Sequence, residues 1–157
     1  MDEVNLFRKS VKQLVAAVDL AEVLDRDPRQ MLDYAKIDSI RAAYLLMTMT
    51  GSSMARKLIQ LHTLLSHVPD PDPMLISGME RATHGMTEVT AHFTALGAWL
   101  SQPYQHRQSI RATIPRSDVC LAAGEQIWEF VMSFHEARVQ FDAACMTEPA
   151  PGSVLDC

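Results

Sequence analysis

The sequence is poor in cysteine, in aromatic residues and in positive charge, and each shortage argues against a class of protein. Its three cysteines, Cys120, Cys145 and Cys157, show no framework spacing, so we expect reduced thiols and no disulfide scaffold. Aromatic residues make up 6% of the chain, which is low for a β-sandwich core. The net charge of −5 argues against duplex nucleic-acid binding, whose affinity comes mainly from basic side chains.

Long apolar runs and targeting signals are also missing. No apolar run approaches the roughly 20 residues that cross a membrane, and Met1-Asp2-Glu3 does not begin a secretory signal. We therefore expect a cytoplasmic protein without membrane or nucleic-acid partners. The sequence contains no Gly-rich phosphate loop, Cys-x-x-Cys pair or nucleophile elbow, so we expect neither a cofactor nor an enzymatic function.

Four segments carry apolar residues at alternating spacings of three and four, the heptad pattern of packed helices. This pattern predicts helices at about 3–24, 28–68, 73–100 and 117–146. Short connections make successive helices antiparallel, so the predicted fold class is all-α, an antiparallel up-down four-helix bundle. We expect residues 1–146 to form the bundle domain and residues 147–157, which contain Pro149, Pro151 and Gly152, to form a disordered tail.

The second helix is predicted to be the longest. Asp27 is a suitable N-cap and Pro28 a suitable first helical residue, because proline lacks only an N–H that would be unpaired there. The heptad pattern crosses Gly51 without losing phase, which favours one long helix, with Gly51 as a place to bend, over two shorter helices. A helix of about 40 residues would span roughly 60 Å, whereas the first helix spans roughly 33 Å.

The difference in length predicts a partner surface. The first helix cannot reach the C-terminal half of the second helix, so helices 3 and 4 either cover its apolar side chains or leave an open groove. The candidate partner-binding residues are Met54, Leu58, Leu61 and Leu65. Apolar grooves usually mark interaction surfaces, and most soluble oligomers are symmetric homo-oligomers, so we expect a protein partner, most simply a second copy in a homodimer.

The third helix contains the best metal candidate, the residues Glu80, His84, Glu88 and His92, each four apart. Neighbouring imidazoles and carboxylates at this spacing can share a metal, and His84-x3-Glu88 resembles one fragment of the hemerythrin pattern. The other helices supply no matching ligand pairs. The heptad pattern places all four residues on the outer side of the helix, in water, so a metal site at His84, Glu88 and His92 is the alternative hypothesis.

The connection at 101–117 is the one locally basic stretch. It contains Arg107, Arg111 and Arg116 and has no Asp or Glu. These arginines can hold an anion or an acidic partner through bidentate contacts, or they can pair with acidic residues on neighbouring helix ends. The sequence as a whole therefore favours a non-enzymatic interaction protein, an adaptor, regulator or chaperone-like bundle, over a metal- or small-ligand-binding bundle.

Overall fold

Four long α-helices make up most of the chain in the computed structural model, which describes residues 2–27, 29–30, 33–103, 107–114 and 116–147. A short 3-10 turn, Ile110–Ala112, precedes the last helix. The described residues contain no strand, and the predicted all-α four-helix bundle is confirmed. The predicted tail lies outside the described residues, apart from Thr147. The helices are α1, Asp2–Arg26; α2, Tyr34–Ser66; α3, Pro73–Ser101; and α4, Ser117–Thr147.

The start of α3 follows the capping signal in the sequence. The Asp72 carboxylate accepts a hydrogen bond from the Met74 N–H at 2.9 Å, and Pro73 occupies the first turn. Such a cap satisfies an N–H that has no partner within the helix.

The predicted start of α2 at Asp27 and Pro28 was wrong. The Asp27 carboxylate accepts hydrogen bonds from the Arg29 N–H at 3.2 Å and from the Gln30 side chain at 3.1 Å, so it closes a separate turn. The cap of α2 is Asp33, whose carboxylate accepts from the Lys36 N–H at 3.3 Å. The helix is consequently 33 residues long.

Within these bounds α2 is a single helix, and it continues through Gly51. The hydroxyls of Ser52 and Thr48 bond within the helix, since Ser52 donates to the Thr48 carbonyl at 2.9 Å and Thr48 to the Tyr44 carbonyl at 3.0 Å. The heptad phase that crosses Gly51 in the sequence therefore corresponds to one continuous element.

The core is formed by one side of each helix and is packed most closely between α1 and α2 and between α3 and α4. Gly85 of α3 brings the two backbones together, because a Cβ there would lie 3.0 Å from the Ala123 carbonyl oxygen of α4. The pair α2 and α3 packs less closely than the other two pairs, so this side of the bundle is the one that can leave space.

The N-terminus of α1 lies beside the middle of α2, where the Ser53 hydroxyl donates to the Glu3 carboxylate. Val4 of α1 and Val131 of α4 meet Met54 around a small cavity at the same level. The part of α2 that follows Lys57 therefore extends beyond α1, as its greater length leads one to expect.

Candidate functional site

An open apolar cleft runs between α2 and α3. Nearer the N-terminus of α2 the two helices are in contact through Tyr44 and Phe93, whose rings are stacked with centroids 4.5 Å apart. Gly97 makes this contact possible, because a Cβ there would lie 2.9 Å from the Tyr44 ring. Toward the C-terminal half of α2 the two helices line a cleft of about 590 Å³, which is within the size range of small-molecule sites.

The walls of the cleft are made of aliphatic side chains, methionines and threonines. The Thr83 hydroxyl donates to the Met79 carbonyl at 2.9 Å and the Thr63 hydroxyl to the Ile59 carbonyl at 3.0 Å, so both already have partners in their own helices. His62 is the only titratable side chain of the lining. The lining of the cleft is therefore mainly apolar surface, and it contains few groups that could react or bind a charge. Its lining residues are Ala55, Leu58, Ile59, His62, Thr63, Met79, Thr83, Met86, Thr87 and Thr90.

The cleft lies within a wider exposed surface, which we call the α2–α3 face. On α2 three of its apolar side chains are unusually exposed, Leu45 at 62%, Met49 at 72% and Ile59 at 67%. Arg56 and Glu80 are the charged residues along it, and Arg56 also lines a polar pocket with Glu3 of α1. An exposed apolar stripe of this kind usually marks a contact surface. The face consists of Leu45, Met49, Ser52, Arg56, Ile59 and Thr63 of α2 and Ile76, Glu80, Thr83, Thr87, Thr90 and Thr94 of α3, all exposed.

The predicted partner-binding residues do not form an open groove. Met54, Leu58, Leu61 and Leu65 have exposures of 0%, 7%, 6% and 8% and belong to the core. Their heptad positions point inward along the whole of α2, and the bundle covers them even beyond the end of α1. Only Leu58 of the four borders the cleft. Partner binding by these four residues stays a prediction, while the exposed apolar side chains lie on the opposite side of α2.

The basic connection is tied to the bundle by ion pairs. Arg111 contacts Asp19 at 2.5 Å and Glu22 at 2.8 Å, both on α1. This guanidinium holds the pKa of the Glu22 carboxyl below its usual value by hydrogen bonding. Arg116 pairs with Asp118 at 2.5 Å, and the hydrogen bond between them lowers the pKa of that carboxyl as well.

Arg107 lies in a different environment from the other two arginines. Its guanidinium stacks 4.2 Å from the centroid of the Trp99 ring and donates to the Gln102 carbonyl at 3.2 Å. Burial lowers the pKa of this guanidinium. Arg111 and Arg116 therefore pair with acidic residues of neighbouring helices, the second of the two arrangements considered from the sequence, whereas Arg107 contacts a ring and a carbonyl. Anion binding by the three arginines stays a prediction.

A buried junction at the same end of the bundle was not anticipated from the sequence. The Trp99 indole N–H donates to one oxygen of Asp25 at 2.8 Å, and the Ile110 N–H donates to the other oxygen at 3.0 Å. Trp99 is 2% exposed. This junction connects α1, α3 and the 3-10 turn, and so it positions the connection that carries Arg107 and Arg111.

The metal candidate on α3 does not converge on one place. His84 is exposed and its Nε2 lies 3.8 Å from a Glu88 oxygen, whereas His92 is fully buried. Residues four apart advance by about 40° around a helix, so a row of three such steps turns by about 120°, from solvent into the core. The prediction that His92 lies in water was therefore wrong. Among the described residues, no group of three or more metal-ligating side chains has suitable geometry.

Two buried groups near this row show no access to solvent. The Nδ1 atom of His92 lies 3.0 Å from the Glu88 carbonyl oxygen, which accepts a hydrogen bond from the ring N–H, and its Nε2 has no partner among the described residues. Burial raises the pKa of the Cys120 thiol to about 12. A thiol of this kind stays protonated and unreactive at neutral pH.

The sequence did contain a signal for the α2–α3 face. Leu45, Met49 and Ile59 are large apolar residues that stand outside the heptad positions of α2, and residues of that kind are the ones a helix leaves on its surface. The sequence contained no such signal for the cleft itself. The distance between two helices depends on side chains from both of them, and the apolar pattern of one helix does not show it.

Comparison of the chain with models of protein families, with curated proteins and with solved structures gave no match. Among the described helices, none combines the length and the apolar character needed to cross a membrane.

Proposed function

We propose that this chain is a non-enzymatic interaction protein, a helical bundle that docks an apolar helical surface against its α2–α3 face and that associates with itself through it. The observation that carries the proposal is an open apolar cleft that is lined by the exposed Ile59, together with the exposed Leu45 and Met49 on the same helix. Burying such side chains contributes about 25 cal/mol for each Å² of apolar surface removed from water.

The chemistry of the face also supports docking. A helix laid in a groove between two others uses apolar anchors at helical spacings and needs few charges. The α2–α3 face has the same composition, with small threonines on α3 opposite large aliphatic side chains on α2. Methionines such as Met49 and Met86 adapt their shape to a partner at little energetic cost.

Reactive groups contribute little to this face. The buried thiol of Cys120 and the buried imidazole of His92 belong to the interior, and the arginines of the connection contact acidic or aromatic neighbours of their own chain. Because these side chains are buried or already paired, the α2–α3 face is better suited to binding than to catalysis.

Light scattering of the full chain tests the proposal. We expect a mass above that of the monomer at micromolar concentrations, and we expect Ile59→Asp to return the protein to a monomer, because a carboxylate would be buried in the interface. The matched control is Leu6→Asp, which places the same charge at an exposed leucine of α1 and should leave the mass unchanged. A wild-type protein that stays monomeric and monodisperse would contradict the proposal.

A further inference from the structure

A polar pocket lies where α2 passes the first turn of α1. Its volume is about 290 Å³, and its lining consists of Glu3 of α1 and of Ser53, Arg56, Lys57 and Gln60 of α2. Each of the α2 residues has another of them three or four positions away, so the four side chains share one face of the helix. None of the lining residues also lines the apolar cleft, so the pocket is a separate site.

The two cations of the pocket are unpaired, although an acid lines it as well. The side chains of Arg56, Lys57 and Gln60 make no hydrogen bond or ion pair with any residue that the structure describes. The Glu3 carboxylate instead accepts a hydrogen bond from the Ser53 hydroxyl. The pocket therefore carries a formal charge of plus one and has free N–H donors on three side chains.

Lys57 is held in place by the core beneath the pocket. It is half-buried, and it also lines a small cavity of about 30 Å³ together with Val4, Met54 and Val131. A lysine in this position packs its aliphatic stem against apolar side chains and keeps its ammonium group at the polar surface. Because the stem is already packed, less side-chain freedom is lost when the ammonium group binds an anion.

We propose that this pocket binds the phosphate group of a small molecule, with Arg56, Lys57 and Gln60 as donors to its oxygens. The planar fork of arginine, the ammonium group of lysine and an amide N–H all suit phosphate oxygens. A phosphomonoester carries close to two negative charges at neutral pH and so matches two cations better than a carboxylate does. The volume is just below the roughly 300 Å³ at which pockets for drug-sized ligands begin, which fits a smaller molecule.

Titration of the full chain with inorganic phosphate at constant ionic strength, followed by NMR of the backbone amides, tests the site. We expect saturable shifts that are largest at residues 53–60. Arg56→Gln and Lys57→Gln should each raise the dissociation constant about tenfold, because each removes a charged donor. The matched control is Arg41→Gln, which removes an exposed arginine of the same helix roughly 22 Å away and should leave the constant unchanged.

Glu3→Gln should have the opposite effect on phosphate binding. It removes the negative charge of the lining and keeps an acceptor for the Ser53 hydroxyl, so we expect the dissociation constant to fall about threefold. Acetate at the same concentrations should bind more weakly than phosphate. Shifts that do not saturate, equal binding of acetate, or an unchanged constant in Arg56→Gln would each overturn the phosphate site. None of these results bears on the α2–α3 face.

Discussion

At the residue scale, the side chains that hold the bundle together at one end are Asp25 and Arg111. Each uses its charged group to connect α1 with the segment that precedes α4. Asp25 accepts from the Trp99 indole and the Ile110 backbone, and Arg111 donates to Glu22. Neither role could be predicted from the sequence, because both depend on contacts more than 70 residues apart along the chain.

Replacing Asp25 by Asn should destabilise the protein. An amide has one acceptor oxygen and its NH₂ group would face one of the two donors, so a buried N–H would lose its partner. We expect the free energy of unfolding to fall by about 1–3 kcal/mol, measured by urea denaturation. Trp99→Phe removes one donor and leaves the Ile110 hydrogen bond in place, although its smaller ring also changes the packing. Equal stability of Asp25→Asn and the wild type would contradict the role given to this carboxylate.

Replacing Arg111 by Gln should change how stability depends on pH. Because the folded pKa of Glu22 is lowered, its ion pair stabilises the folded state above the ordinary carboxyl pKa of about 4.3 and loses this effect as the pH falls through the folded value. We expect a loss of about 2 kcal/mol at neutral pH and a smaller difference below about pH 4.

Urea denaturation of both proteins across this pH range measures the effect. Arg26→Gln is a suitable control, because Arg26 also pairs with Glu22 but is 77% exposed, where ion pairs contribute little. A difference between Arg111→Gln and the wild type that stays constant with pH would show that the ion pair with Glu22 is not its cause.

At the element scale, two glycines in helix interiors should respond in opposite directions to alanine. At Gly85 the new Cβ would lie 3.0 Å from the Ala123 backbone oxygen, which cannot move without separating α3 from α4. At Gly51 it would meet only the flexible side chain of Met47, with the sulfur at 3.2 Å.

We therefore expect Gly85→Ala to destabilise the protein by about 1–3 kcal/mol and Gly51→Ala to stabilise it by up to about 1 kcal/mol, the difference in helix propensity. The urea midpoints of the two variants measure both effects. Stabilisation by Gly85→Ala would contradict the close contact between α3 and α4.

The helices themselves could be predicted well from the sequence, with one exception that is informative. The heptad pattern and the Asp72-Pro73 signal located α3, because its cap and its apolar face agree. The start of α2 was misplaced because Asp27 and Asp33 are both good caps. The choice between them depends on local hydrogen bonds from Arg29 and Gln30 to Asp27, which the apolar pattern does not encode.

At the scale of the whole molecule, the bundle architecture could be predicted from the spacing of apolar residues, whereas the exposed apolar surface and the cleft could not. Four heptad patterns and short connections are sufficient for an up-down bundle. The cleft lies between α2 and α3, which pack less closely than α1 against α2 or α3 against α4, and the apolar pattern does not encode this difference. The difference in length between α1 and α2 directed attention to Met54, Leu58, Leu61 and Leu65, which are buried, whereas Leu45, Met49 and Ile59 of the same helix are exposed.

The most direct test of the central claim, that the α2–α3 face is an interaction surface, is the thermal midpoint as a function of protein concentration. Association stabilises the folded state by mass action, so the midpoint of the wild type should rise with concentration. That of Leu6→Asp should rise in parallel, while that of Ile59→Asp should stay constant. A wild-type midpoint that does not change with concentration, or one that rises equally in Ile59→Asp, would contradict the claim.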